Sequence, residues 1–365
     1  MTTSAPPGRP WVVLVGGFLG AGKTTLLLAA ARELKHRGMR SAIILNDQGD
    51  ALVDTEFARL NELPGGEVTG GCFCCKFSEL IEVIDRLRAY SPSVILAEPV
   101  GSCTDISATV LQPLRDYREM YRIAPLTVLV DPGRAHELLR EGADSRLRFL
   151  FESQLQEADL ICFTKSDISS ECPAIAHRSV RQVSAKTGQG IAAWLDEVLS
   201  GSLSAGATIL DIDYEQYAQA EAALAWLNLQ VRIRPKMPVQ PAVVLGPLLA
   251  RIDADLTAGG ISIVHLKAII QAQTGFVKAA LCSNGQQPSV EGNLDASPAP
   301  VHELLVNLRA VGDADRVREI IERDLKLTGW RLANLEIACF HPAPPKPESR
   351  ASGDRDKFAN EEISQ

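Results

Sequence analysis

An α/β fold with a mainly parallel sheet, followed by a smaller α+β domain, is predicted by three observations. From Trp11 to about Gly201, short apolar runs alternate with helical patterns. The runs are continuous in Val, Ile and Leu, as strands covered on both faces require. A glycine-rich stretch, Gly17–Thr24, stands between the apolar run Trp11–Val15 and the helix-like run Thr25–Ala31. Strand, glycine loop and helix follow one another as a phosphate-binding P-loop requires. After Gly201 the pattern changes to long alternating strands and two helices.

The elements follow in order. Strands are expected at Trp11–Val15, Ser41–Leu45, Val94–Ala97, Leu126–Val130 and Leu160–Thr164. Helices are expected at Thr24–Arg37, Ser78–Tyr90, Gly133–Arg140, Ser145–Glu157 and Gly190–Ser200. This is a P-loop NTPase domain over residues 11–201, with its functional loops at the carboxyl ends of the strands. Residues 202–221, opening Ser-Leu-Ser-Ala-Gly-Ala, read as a linker. Residues 222–340 then read as strand (Leu224–Arg234), helix (Val243–Ala258), three strands (Ile261–Ile270, Gly275–Leu281, His302–Ala310), helix (Asp313–Leu325) and strand (Arg331–Phe340). That is the outline of a ferredoxin-like α+β domain. Residues 1–10 read as a disordered leader, and the Pro-rich, then charged, residues 341–365 as a disordered tail.

Composition narrows the function. The net charge of −8, from 37 basic and 45 acidic residues, argues against a nucleic-acid footprint. No apolar run is long enough to span a bilayer, and the N-terminus lacks an apolar signal core. A cytoplasmic protein without a membrane partner is the expectation. Of the eight cysteines, Cys72, Cys74 and Cys75 cluster, while Cys103, Cys162, Cys172, Cys282 and Cys339 are scattered. In a reducing compartment such a cluster reads as metal or redox chemistry.

Five motifs carry the chemistry. In the P-loop, Gly17, Gly20, Ala21 and Gly22 let backbone N–H groups face a phosphate. Lys23 reaches the β- and γ-phosphates, and Thr24 offers its hydroxyl to Mg²⁺. The strand Ile95–Ala97 ends in Glu98, a Mg²⁺-orienting carboxylate, with Gly101 placed to meet the γ-phosphate. Thr164-Lys165-Ser166-Asp167 follows a strand, where Asp167 can accept from guanine N1–H and N2–H₂ and the Lys165 stem can cover the base. Ser184-Ala185-Lys186 supports it as a base-closing loop. Gly70-Gly71-Cys72-Phe73-Cys74-Cys75 offers three thiols to one soft or borderline cation, Zn²⁺ by default and Co²⁺ or Ni²⁺ as alternatives. Asn46-Asp47-Gln48-Gly49-Asp50 sits where a switch segment senses the γ-phosphate; Asp47 or Asp50 could position a Mg²⁺-bound or attacking water.

Together these motifs resemble the CobW-like GTPases, the metallochaperone group related to the nickel-delivery GTPases of urease and hydrogenase maturation. The matching stretches are Gly17–Thr25, Asn46–Asp54, Gly71–Cys75, Ile95–Gly101, Gln154–Asp159 and Thr164–Asp167. The resemblance implies GTP hydrolysis coupled to binding or release of a transition metal. Delivery to a metalloprotein client or cofactor-synthesis enzyme and a nucleotide-dependent dimer are further expectations, and turnover should be slow because no certain water-positioning residue and no internal arginine finger is found. By position it gives Lys23, Thr24 and Thr25 the phosphate and Mg²⁺ roles. Glu98 takes the second Mg²⁺ role, Asp167 the guanine role, and Cys72, Cys74 and Cys75 the metal role. The chain departs from the family at Thr164, where Asn is usual, and at Asn46–Gly49, where a Glu-Phe-Gly type run is usual. Its six histidines are scattered, so no His-rich loop exists. Two rival readings remain: a P-loop kinase or ATPase with structural thiols, and a nucleotide-gated metal-binding adaptor with negligible turnover.

Overall fold

The computed structural model describes residues 8–49, 53–54, 56, 63–168, 171–175, 177 and 179–352. The first seven leader residues, Asp50 and residues 353–365 lie outside them. Two compact units form: Met1–Gln48, Ala58–Tyr217 and Pro345–Gln365 in one, Gly49–Phe57 and Ala218–Pro344 in the other.

The first unit runs β1 (Trp11–Gly17), α1 (Lys23–His36), β2 (Ser41–Asn46), β3 (Gly65–Val68), α2 (Phe77–Leu87), β4 (Val94–Glu98), β5 (Arg122–Ile123), β6 (Thr127–Val130), α3 (Pro132–Leu139), α4 (Ser145–Glu157), β7 (Leu160–Phe163), β8 (Val180–Gln182) and α5 (Ile191–Val198). The strand order is β3-β2-β4-β1-β6-β7-β8, with β5 beside β1. Every pair is parallel. The Val/Ile/Leu runs therefore sit where both faces are covered: Val12 to Val15, Ile95, Leu96, Leu160 and Ile161 are fully buried. From β1 the chain builds the sheet first to the β4 side and then to the β6 side. The reversal places the P-loop at the sheet's switch point, where ligands bind in such folds.

The five expected strands are present. β3 is the strand that pattern reading missed. Gly65-Gly66-Glu67-Val68 has no strand composition, yet it pairs in parallel with β2, Ile43 opposite Gly65. Gly66 is required there, because a Cβ would lie 2.4 Å from Val83 Cγ1 on α2. The expected linker is not all linker: α6 (Tyr214–Ala222) occupies its end. Nor is the first domain continuous over 11–201, since Gly49–Phe57 belongs to the other unit.

The second unit runs β9 (Leu224–Arg234), α7 (Pro241–Ala258), β10 (Ser262–Ala272), β11 (Gly275–Leu281), β12 (Ser289–Gly292), β13 (His302–Val311), α8 (Ala314–Leu327) and β14 (Arg331–Phe340). Its antiparallel order is β12-β11-β10-β13-β9-β14. Without β11 and β12, the four strands read fourth, first, third, second, the ferredoxin-like order, so these two strands are an edge addition to the expected outline. The core is the apolar face of this sheet under α7 and α8, including Leu227, Val231, Leu248, Ile252, Leu266, Leu308, Val317 and Ile321. Gly49–Phe57 docks within this unit: Val53 N–H donates to Asn307 Oδ1 at 2.8 Å, and Gln271 Nε2 to Glu56 Oε1 at 2.7 Å.

The expected tail is corrected over its first part. Residues 345–352 return to the first unit and make defined hydrogen bonds there, described below.

One glycine tests the packing of the first unit. Gly190, before α5, has φ 75°, and a Cβ there would lie 2.4 Å from the Gln182 carbonyl oxygen. Gly190→Ala should cost about 1–3 kcal/mol of stability, read as a lowered denaturant midpoint. An unchanged midpoint would contradict the contact.

Candidate functional site

The P-loop is shaped by backbone sterics. Gly17 has φ 131°, and a Cβ there would lie 2.5 Å from the Leu129 carbonyl oxygen. Gly20 and Gly22 are also left-handed, at φ 83° and 90°. Ala21 N–H donates to Phe18 O at 3.1 Å, closing the loop, and Leu26 N–H donates to Gly22 O at 2.9 Å, starting α1. Lys23, Thr24 and Glu98 are all buried. Lys23 Nζ donates to Gly17 O at 2.9 Å and lies 3.9 Å from Glu98. Thr24 Oγ1 donates to Glu98 Oε2 at 2.7 Å. A hydroxyl and a carboxylate, both oxygen donors, are thus held together at the start of α1, a donor set suited to Mg²⁺. Gly101 completes this end: a Cβ there would lie 3.0 Å from Lys23 Nζ and 2.8 Å from Leu19 Cδ2. Thr25, next on α1, is partly exposed.

The base-reading motif assembles from two loops. Ser184 Oγ donates to Asp167 Oδ1 at 2.6 Å, and Ser166 N–H donates to Val183 O at 3.3 Å. Asp167 is exposed and Ala185 partly so. Lys165 is left-handed, φ 57°, and its ammonium pairs with Asp131 at 2.5 Å. The Thr164 hydroxyl donates to Val130 O at 3.3 Å. Asp131, at the end of β6, escaped sequence reading. It also caps α3 by accepting from Gly133 N–H at 3.0 Å.

In the segment after β2, Asn46 holds the cysteine loop. Its Nδ2 donates to Val68 O at 2.9 Å and Gly71 O at 2.7 Å, and its Oδ1 accepts from Phe73 N–H at 2.9 Å. Asp47 is partly exposed, and its charge adds to burial in raising the Glu67 carboxyl on β3.

The thiols converge. Cys72 and Cys74 sulfurs lie 2.7 Å apart, Cys72 and Cys75 3.3 Å, Cys74 and Cys75 3.8 Å. Cys103, scattered in the sequence, joins them: the sulfurs of Cys72, Cys74 and Cys103 lie within 4.8 Å of one another, all buried. The neighbouring thiols, Cys103 foremost, hold Cys72 well below the usual thiol range. The same pairing raises Cys74, and Cys75 to about 11. One sulfur of the group thus ionises first and the others solvate it. Residues 345–352 cross this loop. Lys346 N–H donates to Cys75 Sγ at 3.1 Å, and Glu348 N–H to Cys74 O at 2.9 Å. Ser78 Oγ donates to Glu348 at 2.6 Å, and Arg350 Nε donates to Asp105 at 2.7 Å.

A family model described as CobW/HypB/UreG, nucleotide-binding domain, matches residues 11–190. Residues 11–190 are similar to this domain family. Among curated proteins, the zinc chaperone YjiA of Escherichia coli is 28% identical over 180 residues, 47% of this chain and 54% of that protein. The zinc chaperone YeiR of the same organism is 33% identical, over 42% and 46%. The zinc-regulated GTPase metalloprotein activator 1 of Schizosaccharomyces pombe is 25% identical, over 55% and 49%. The chain spans about half the length of these relatives. Among solved structures, Zn(II)-bound YjiA GTPase from E. coli is 16% identical with a TM-score of 0.34, covering 89% of this chain and 99% of that one. HypB from Helicobacter pylori in complex with nickel is 14% identical with a TM-score of 0.40, covering 53% and 86%.

Within the matched residues, α4 braces the loop after β4. Gln154 Nε2 donates to Gly101 O at 3.0 Å and Cys103 O at 2.8 Å. Glu157 accepts from Ser107 N–H at 2.9 Å and Thr104 Oγ1 at 3.1 Å. Burial pushes the Glu157 carboxyl from 4.5 up to about 8. Between those values the folded state keeps a proton that the unfolded chain releases. Its contribution is full below about pH 4.5 and is lost as pH rises to 8, by about 1.4 kcal/mol per pH unit. Glu157→Gln should therefore flatten the pH dependence of unfolding between pH 5 and 8. Identical slopes in variant and wild type would refute the assignment.

Proposed function

We propose that the protein is a GTP-dependent metallochaperone that carries zinc on its cysteine loop and hands it to a client metalloprotein or cofactor-synthesis enzyme. The observation that carries this reading is the placement of the thiol group on loops that also bear nucleotide residues: Cys103 lies two positions after Gly101, and Asn46 at the end of β2 holds Gly71 and Phe73. Support comes also from the zinc chaperones that the domain resembles. Sulfur donors favour zinc or another soft or borderline ion, Co²⁺ and Ni²⁺ included, over Mg²⁺ or Ca²⁺.

The residues divide the work. The amides of Gly20 to Thr24 cradle the phosphates, and Lys23 exchanges the Gly17 carbonyl for β- and γ-phosphate oxygens. Thr24 and Glu98 would hold Mg²⁺, which supplies charge neutralisation at the phosphates when bound. Gly101 presents its N–H toward the γ-phosphate. Asp167 reads guanine while Ser184 orients its carboxylate, and the Lys165 stem covers the base with its ammonium held by Asp131. Hydrolysis removes the γ-phosphate and releases the Glu98–Cys103 loop, and the metal leaves with it. Turnover is slow without a partner, and GTP favours a dimer that presents the loaded loop.

Two measurements test this reading. Replacing Cys72, Cys74 and Cys75 together by Ser should abolish stoichiometric zinc binding while GTP binding persists; equal zinc affinity in wild type and variant would sink the proposal. Asp167→Asn should weaken GTP binding roughly tenfold or more, by about 1.5–3 kcal/mol for charge-assisted hydrogen bonds, without a matching loss for other nucleotides. Parallel losses for GTP and ATP would point instead to a P-loop ATPase or kinase.

A further inference from the structure

We infer that Cys103 is a ligand of the transferred metal and the one that ties metal affinity to the bound nucleotide. The inference rests on the metallochaperone reading and extends it to a residue outside the Cys72–Cys75 loop.

Geometry distinguishes Cys103 from an ordinary buried cysteine. Cys162 on β7 is equally buried and lies within the apolar strand Leu160–Phe163, where a thiol behaves as a small hydrophobe. Cys103 instead faces sulfur, within 4.8 Å of both Cys72 and Cys74. A tetrahedral zinc shell with Zn–S of about 2.3 Å spaces its sulfurs about 3.8 Å apart. The loop sulfurs, 2.7–3.8 Å apart, need only open slightly to admit an ion, and the Cys103 sulfur lies within 4.8 Å of those of Cys72 and Cys74. Three buried sulfurs then come from two segments of the chain, and Cys75, half-buried beside Lys346 N–H, lies at the rim.

The second segment is the nucleotide loop itself. Cys103 follows Glu98 by five residues and Gly101 by two. The Gln154 amide donates to both Gly101 O and Cys103 O. A displacement of Gly101 by the γ-phosphate is therefore carried to the Cys103 backbone. Cys72 and Cys74 sit on the separate loop clamped by Asn46. A ligand set split between two loops gains or loses affinity when one loop moves.

The test uses the full chain. Zinc affinity is measured by chelator competition, with GDP and with a non-hydrolysable GTP analogue. Cys103→Ser should bind zinc at least about tenfold more weakly than wild type and should lose the affinity difference between the two nucleotides. Unchanged zinc affinity, or a nucleotide effect of full size, would overturn the inference. A second variant guards against misfolding at a buried position. Cys75→Ser alters only the rim, and X-ray absorption on its zinc-loaded form should still count three sulfurs. Two sulfurs would exclude Cys103. If Cys72→Ser and Cys74→Ser lose zinc while Cys103→Ser keeps it, only this inference fails. If all three keep it, the metallochaperone reading fails as well.

Discussion

The short covalent span from Glu98 to Cys103 is the constraint on which the site depends. Glu98 accepts from Thr24 at the start of α1, and Cys103 places its sulfur among the thiols. Four residues lie between them. A chain extends at most about 3.3–3.6 Å per residue, so the two ends cannot respond independently to what either binds. The parallel sheet creates this proximity. With β4 between β1 and β2, the loops after all three strands leave the same edge. The P-loop, the Asn46 clamp and the Glu98–Cys103 loop are then neighbours by topology.

Stiffness on the α4 side makes the span informative rather than slack. Asp105, two residues past Cys103, is left-handed at φ 63° and fully buried. Asp tolerates this conformation better than most residues but not freely. The surroundings hold it there: Tyr214 OH donates to its carboxylate at 2.6 Å and Arg350 at 2.7 Å. Glu157 and Gln154 fix the backbone on either side. The loop is thus braced at Gly101, Cys103, Asp105 and Ser107.

Legibility from sequence followed the physics of each feature. The parallel core was readable because covered strands must be continuously apolar, and the P-loop because its glycines and Lys23 recur at fixed spacing. Asp167 and Ser184 were placed by motif, and the structure brings them into hydrogen bond. β3 was not readable, since its two glycines lack strand propensity and Gly66 answers to the approach of Val83 on α2. Asn46 was readable only as the start of a switch segment, because its bonds to Val68, Gly71 and Phe73 join residues 22 to 27 positions away. Cys103 carries no local signal. Its partners are about thirty residues earlier, and their meeting depends on β3 lying beside β2, the pairing that composition concealed.

The same reasoning explains why the chain beyond β14 matters to the thiol cluster. Residues 345–352 look like a tail because proline and charge dominate them. Proline, however, also stiffens an extended segment and reduces the entropy lost when it is laid across a surface. Here the segment bonds both thiol-bearing stretches: Lys346 to Cys75, Glu348 to Cys74 and Ser78, Arg350 to Asp105. The Lys346 backbone N–H directed at Cys75 Sγ offsets part of the rise that Cys72 and burial impose on that thiol. The segment thus completes the polar surroundings of the thiols, and the thiol cluster is built from three parts of the chain, two of them outside the Cys-x-Cys-Cys motif.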